Sequence, residues 1–574
     1  MTSLIRSPSA LVAPEAPVAP VAPVAPVAPV APVAPAEAIT PLVRGVVVLR
    51  TLTEAGGTLS LRDLSHSTGL ARSTVDRIAA TLAHMGYVRL DGRDVTVLPG
   101  VMELGNAYLD AIHIPEILGP HVRELADQLD ESVSLTVPDG TGLRMIHQVK
   151  HRRARIFSFG IGDLLPVERA APGALMAADW SPETWAEWHA GPALPTIHGF
   201  PADPPGGDPR ALFSPDVCTE AAQRGWAEDD QRIAGGLLAL GVAVRDPCGR
   251  RVCGVSVVSH TSRHSMASLR DAALPGLQRT VTRMEDALRR IPVPTSEPPV
   301  GTANWTGTSK QVIGREFVES LARGLAAITA FGSGHESLST TGVAEATGLP
   351  RATARRVLIT LEHLGYVVAE DRRYRLTPRV LELGFPPMSR TSLAQLTEPH
   401  IGALAARVQD SASMAVLEGS DIRYTARVPA YRVMSVNITV GTRFPSYATS
   451  MGRVLLAGLP SAERRDVLDR VGPLERLTGR TITDHGRLEE LLDQVAEQGY
   501  ALNEGELDEG LRSIAVPVHD RDRRVVAAVN VAMHTSRRTP EECTTDLLPH
   551  LRATAARIET EYATATRFVK IPVI

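Results

Sequence analysis

A long internal repeat constrains this chain more than any other feature. Gly69-Leu70-Ala71-Arg72-Ser73-Thr74 returns as Gly348-Leu349-Pro350-Arg351-Ala352-Thr353, an offset of 279 residues. Gly86-Tyr87-Val88 returns as Gly365-Tyr366-Val367, and Pro99–Gly105 as Pro378–Gly384, at the same offset. Near the end of each copy the offset becomes 274, where His260-Thr261-Ser262-Arg263 matches His534-Thr535-Ser536-Arg537. Matches held in one frame, with one net length change of five, mark a duplicated structural unit. A chain of 574 residues has room for roughly three or four domains. The repeat resolves these into two copies of a two-part unit behind a tail. The expected divisions are a tail at 1–40, a small module at 41–110, a larger one at 111–290, a linker at 291–308, and the second pair at 309–388 and 389–574.

The tail repeats Val-Ala-Pro from Pro14 to Pro35. Proline at every third position blocks helix and favours polyproline II, so a passive tether is expected. The linker is rich in Pro, Gly and Thr. No run of about 18 apolar residues suggests a membrane span. Four cysteines without paired spacing and the lack of a secretory pattern lead to an expected cytoplasmic location. A net charge of -4 excludes coating of nucleic acid by bulk charge, so any DNA contact must come from locally placed arginines.

The small module reads as helices followed by a hairpin. Ser60 is placed to cap a short helix that Gly69 ends. A second helix follows from about Arg72, with Val75, Ile78, Leu82 and Met85 on one stripe. Copy 2 puts Ala354, Val357, Leu361 and Leu364 there. The opposite face carries Arg72, Ser73, Thr74, Asp76 and Arg77 in copy 1, and Arg351, Thr353, Arg355 and Arg356 in copy 2. A short helix, a glycine turn and a helix with a polar N-terminal face form the helix-turn-helix layout, whose second helix enters the major groove of a double-stranded DNA operator. Arginine suits bidentate contact with guanine, whereas Asp76, at the position of Arg355, accepts from cytosine. Gly-Tyr-Val then begins a hairpin wing, with Arg372 and Arg373 placed to reach the backbone or minor groove. Local charge is unequal: residues 309–388 hold ten basic and eight acidic side chains, residues 41–110 seven of each.

These motifs resemble the IclR family of bacterial transcription regulators over nearly the whole chain from about residue 41. The resemblance implies an α+β multidomain chain, with two winged helix-turn-helix domains each followed by a GAF/profilin-like α/β effector-binding domain. Copy 2 is the nearer match, through Met434-Ser435-Val436-Asn437, Gly441–Pro445, Thr449–Ala457 and Glu509–Val518. These stretches are similar to the branch regulating β-ketoadipate and protocatechuate-type aromatic acid catabolism. The resemblance implies a ligand pocket with Ser450 and Met451 on one side, Asn503, Ser513 and Asn530 on the other, and Glu506 and Arg512 nearby. Hydroxyl, amide and guanidinium donors suit a small organic acid. In copy 1 the matching positions hold Ala171-Pro172, Asp229, Leu238, Ala239 and Ser256, so this copy is expected to have lost acid binding, or to bind a more apolar ligand, and to serve mainly as a structural partner.

Catalytic and cofactor signatures are not found in the sequence. No Walker sequence or Gly-x-Ser-x-Gly elbow occurs, and His147/His151 and His260/His264 fall in or beside expected strands, where that spacing does not converge on a metal. The expectation is a regulator without cofactor, acting as an intramolecular pseudo-dimer or as a homodimer with four winged helices. The rival expectation is a ligand-binding or protein-interaction module that has lost DNA binding in one or both copies.

Overall fold

The computed structural model describes residues 35–150, 159–191, 209–290, 317–430 and 438–572. The tail before residue 35, the expected linker and the Met434–Asn437 stretch lie outside them. Each copy opens with a helix, Thr40–Glu54 or Glu319–Thr329, that buries its apolar stripe, Leu42, Val46 and Leu49 in the first. The short helix Leu61–Thr68 follows, and the Ser60 hydroxyl accepts from the Asp63 N–H at its start. Ser339 caps Thr340–Thr347 in the same way. Gly69 and Gly348 end these helices at a φ of 65°, a left-handed conformation that favours glycine. The next helices, Arg72–His84 and Arg351–His363, bury Val75, Ile78 and Leu82, and Ala354, Val357 and Leu361.

Each wing is a three-stranded antiparallel sheet. Asp94–Val97 lies between Thr58–Ser60 and Val88–Asp91, and Arg373–Leu376 lies between Leu338–Ser339 and Val367–Glu370. The second wing turns through Asp371 and Arg372, both at positive φ, the geometry of a tight hairpin turn.

The larger domains are six-stranded antiparallel sheets of identical order. In copy 1 the order is Leu164–Pro166, Gly142–Val149, Ser132–Asp139, Arg251–His260, Leu237–Arg245, Ala227–Asp230. In copy 2 it is Arg443–Pro445, Asp421–Val428, Ser411–Glu418, Val525–His534, Leu511–His519, Ala501–Glu504. Helices Ile114–Leu129 and Met266–Arg289 pack together beside the first sheet, and Leu393–Val408 and Leu548–Ala565 beside the second. Among the described residues no helix is long and apolar enough to cross a membrane.

The two small modules meet through a reciprocal contact. A Cβ added at Gly45 would lie 2.3 Å from Leu321 Cδ1, and one at Gly324 would lie 2.4 Å from Leu42 Cδ1. The Ile39 N–H donates to Thr360 Oγ1 at 3.0 Å, and the Val318 N–H donates to Thr81 Oγ1 at 2.9 Å. Each pair maps onto the other through the 279-residue offset. This is the self-complementary packing of a two-fold interface, made within one chain.

The segments leaving the small modules break that symmetry. Met102–Ile112 is a continuous helix. In copy 2 the 3-10 turn that precedes it, Pro99–Val101 in copy 1, extends over Pro378–Glu382, then come Gly384 at φ 93° and only a short helix, Phe385–Met388. Pro386 and Pro387 replace Ala107 and Tyr108, and proline has no N–H for the helical ladder. Each segment rests on the opposite copy. Asn106 donates to the Thr564 carbonyl and Asp110 pairs with Arg567. Across the molecule, Arg390 pairs with Asp163 at 2.5 Å.

Candidate DNA-reading and ligand sites

On the second recognition helix Arg351, Arg355 and Arg356 are exposed and Thr353 is half-buried. Arg355 Nη1 lies 2.5 Å from Glu37 Oε2, and Arg356 Nε donates to the Glu37 carbonyl at 3.3 Å. Glu37 immediately precedes the first copy, so an acid of one half sits on the reading face of the other. On the first recognition helix Arg72, Ser73 and Arg77 are exposed, with Thr74 and Asp76 half-buried. There Arg72 Nε donates to Asp76 Oδ1 at 2.9 Å, one helical turn away. In the second wing Arg372 is exposed, but Arg373 is turned back onto Ser337, donating from Nε to its Oγ at 2.8 Å.

The second large domain encloses a cavity of about 660 Å³ that brings together Ser450, Met451, Asn503, Ser513 and Asn530. Strand alternation places them. Asn503 pairs with Ser513 in one row, and Ser413, Asn530 and Ala515 form the row two residues on, so all face the same side of the sheet. Ser450 opens helix Ser450–Ala457, and its hydroxyl lies 2.8 Å from that of Ser513. Asn503 donates to the Ala448 carbonyl at 3.1 Å. The Asn530 side-chain oxygen has no hydrogen-bond partner among the described residues.

Two of the expected ligand residues do not line this cavity. Arg512 points along the sheet edge, donating to Glu504 Oε2 at 2.7 Å and to the Thr535 carbonyl at 2.9 Å. Glu506 is buried against Arg453, with Arg453 Nη2 2.5 Å from its Oε2, and also accepts from the Ile482 N–H. Both charges are already neutralised within the domain.

Arg427 takes the cationic place that Arg512 was expected to fill. It lines the cavity, donates to Ser413 Oγ at 3.4 Å and leaves its Nε without a partner among the described residues. Burial draws its guanidinium below the ordinary arginine value. Tyr424 lies on the same wall, its phenol pushed up to about 12 by burial. The signal that points to Arg427 is a charged residue on the inward alternation of a strand, opposite Ser413.

The same positions of copy 1 carry other chemistry. Gln148 stands for Arg427, Asp229 for Asn503, Ala239 for Ser513 and Ser256 for Asn530. Met145, Ala171 and Ala239 belong to one apolar cluster with Phe159, Trp188 and Phe213. Pro172 lies so close to the sheet that a Cβ on Gly241 or Gly254 would come within 2.6 Å of it. Asp229 is fully buried, accepts from the Arg232 N–H at 2.7 Å and leaves its second oxygen without a partner among the described residues. Burial raises its carboxyl to about 7, against smaller lowering contributions led by the Arg232 N–H and the Arg232 charge. Among the described residues no three His, Cys, Asp or Glu side chains gather as a metal site requires.

The IclR helix-turn-helix domain matches residues 41–92 and 320–371, and the bacterial transcriptional regulator IclR C-terminal domain matches 106–194 and 387–560. The Pca regulon regulatory protein of Pseudomonas putida is 42% identical over 239 residues, covering 42% of this chain and 82% of that protein. The chain belongs to the IclR family. The p-hydroxybenzoate hydroxylase transcriptional activator of Acinetobacter baylyi is 34% identical over 253 residues, covering 43% of this chain and 93% of that protein. A transcriptional regulator of Rhodococcus sp. RHA1 of solved structure is 46% identical, covers 44% of this chain and 100% of its own, and superposes with a TM-score of 0.42. This IclR protein is a DNA-binding transcription regulator with effector-binding domains, written twice in one chain.

Proposed function

We propose that the chain works as a covalent pseudo-dimer, whose two recognition helices read unequal halves of one operator. The reciprocal packing of Leu42 on Gly324 and Leu321 on Gly45 carries this reading. Two-fold readers place their helices in successive major grooves about 34 Å apart. Here the reading faces differ: Arg351, Arg355 and Arg356 favour guanine, while Asp76 beside Arg77 favours cytosine. The wing Arg372 adds a backbone contact in the second half.

Small organic acid binding belongs to the second effector domain in this reading, with Arg427 holding the carboxylate and Ser450, Asn503, Ser513 and Asn530 orienting the remainder. Two relatives bear names from aromatic acid catabolism, so an aromatic acid is the ligand class chosen. The first effector domain is the structural partner. The boundaries at 41–110, 111–290, 309–388 and 389–574 are those of the functional units.

Selection of bound duplexes from a random library by the full chain tests the operator. Two unequal half-sites are expected, with binding that weakens steeply as salt rises. A palindrome protected equally by both halves overturns the reading, and absence of any selected sequence returns the chain to the class of interaction modules. Calorimetric titration with p-hydroxybenzoate is expected to show one site per chain. Two equal sites would remove the structural role given to copy 1.

A further inference from the structure

Each recognition helix carries an arginine held by a carboxylate, but the carboxylate comes from different places. In the first, Asp76 holds Arg72 from the same helix. In the second, no acid stands at that position, because Arg355 replaces Asp76. The acid is supplied from the other half, by Glu37.

That arm is fastened at three successive points along helix Arg351–His363. The Ile39 N–H donates to Thr360 Oγ1 at 3.0 Å, with Ile39 buried. One turn back, Arg356 Nε donates to the Glu37 carbonyl at 3.3 Å. Beside it, Arg355 Nη1 meets Glu37 Oε2 at 2.5 Å. Thr360 also donates to the Arg356 carbonyl at 2.7 Å, so the anchoring hydroxyl belongs to the same run of contacts. The arm therefore cannot shift along the helix without breaking a backbone contact.

We infer that Glu37 is a specificity-determining residue acting in trans, by positioning Arg355 for the base it reads. The inference rests on the DNA-reading role given to this helix. Glu37 engages Nη1, and the guanidinium, more than half exposed, retains its Nε–Nη2 edge for a guanine. A held arginine loses less rotamer freedom on forming a bidentate contact. The carboxylate also repels phosphate, so a complex lacking the correct base gains less from Arg355. Both effects act in one direction: they widen the gap between operator and unrelated duplex. Asp76 in the first half faces Arg72, and its charge would repel a second acid, so that helix supplies its own carboxylate.

The test uses the full chain with Glu37→Ala and Glu37→Gln, measured against the selected operator and a scrambled duplex at two salt concentrations. For Glu37→Ala, affinity for the scrambled duplex is expected to rise about three- to ten-fold while operator affinity does not rise. Library selection is expected to lose preference at one base pair and keep the others. Glu37→Gln is expected to fall between. In an Arg355→Ala chain, adding Glu37→Ala is expected to leave the operator-to-scrambled ratio unchanged. If both duplexes gain equally, Glu37 is only a charge shield and the inference fails. If adding Glu37→Ala still changes that ratio in the Arg355→Ala chain, Glu37 acts independently of Arg355 and the inference fails as well. If the unsubstituted chain selects no sequence, the DNA-reading role itself fails, which is a separate and visible result.

Discussion

The two effector domains share one sheet order and differ in what they place on it. The second sets a half-buried cation and buried amides around open space: Arg427, Asn503 and Asn530 line its cavity. The first buries an acid, Asp229, and gathers Trp188, Phe213 and Phe159 in an apolar cluster. A carboxylate ligand finds donors in one domain and a competing carboxyl in the other. Topology is thus kept by the alternation of buried apolar residues, while ligand chemistry rests on a handful of inward side chains that change without disturbing it.

The largest effect expected from probing this difference is at Arg453. In the second domain it is among the largest fully buried side chains and pairs with buried Glu506; copy 1 has Ala174 and Arg232 at these positions. Arg453→Ala leaves Glu506 buried without its partner, and such losses cost about 3–5 kcal/mol. Calorimetric unfolding is expected to show the second half melting earlier. The tryptophans all lie between residues 180 and 305, so tryptophan fluorescence reports mainly on the first half and is expected to move less. Equal movement of both signals would mean that the halves do not hold their stability separately.

Asp229→Asn gives copy 1 the residue of copy 2. An acid whose folded value is raised from 3.8 to about 7 stays protonated in the folded chain while the unfolded chain releases its proton. Stability then falls as pH climbs through that interval and levels off above it. The substitution is expected to be neutral below pH about 4 and to stabilise by about 2–4 kcal/mol above pH about 7. Tryptophan-detected unfolding at pH 5 and pH 8 checks the slope, and an unchanged slope would show that Asp229 does not carry it.

Arg427→Ala is expected to weaken binding of p-hydroxybenzoate by about 1.5–3 kcal/mol, the contribution of a charged hydrogen bond. Arg512→Ala is expected to leave that affinity nearly intact, since Arg512 is committed to Glu504 and Thr535. Titration calorimetry on both variants separates the two arginines directly, and the reverse ranking would move the acid site to the sheet edge.

The duplication and the recognition helices were legible because they depend on local periodicity and on motifs repeated in frame, whereas the six-stranded order of the sheets rests on pairings between distant strands. Ser60 and Gly69 carry their roles within a few residues of themselves. The arginine that lines the cavity was not legible in this way. Arg427 and Arg512 are both strand arginines near polar residues, and only strand pairing shows that one opens into the cavity while the other finds Glu504. The Glu37 contact was hidden for a different reason. It joins residues more than 300 apart, and nothing in the charge pattern of either segment records the approach.

The smallest expected effect concerns the two readers. Asp76→Ala releases Arg72 from its helical partner and removes one negative charge from the first reading face. Both half-exposed side chains gain little from pairing in water, so folding stability is expected to change by about 0.5 kcal/mol or less. DNA binding is more sensitive, because Arg72 becomes available to a phosphate. The slope of log affinity against log salt is expected to steepen by about one unit. If Asp76 reads a cytosine, operator discrimination falls in the first half-site while scrambled-duplex affinity rises. If it serves only to hold Arg72, the slope changes and the selected sequence does not. The asymmetry of the operator would then rest on the second half alone, with Arg355 and its acid from the opposite copy setting the preference.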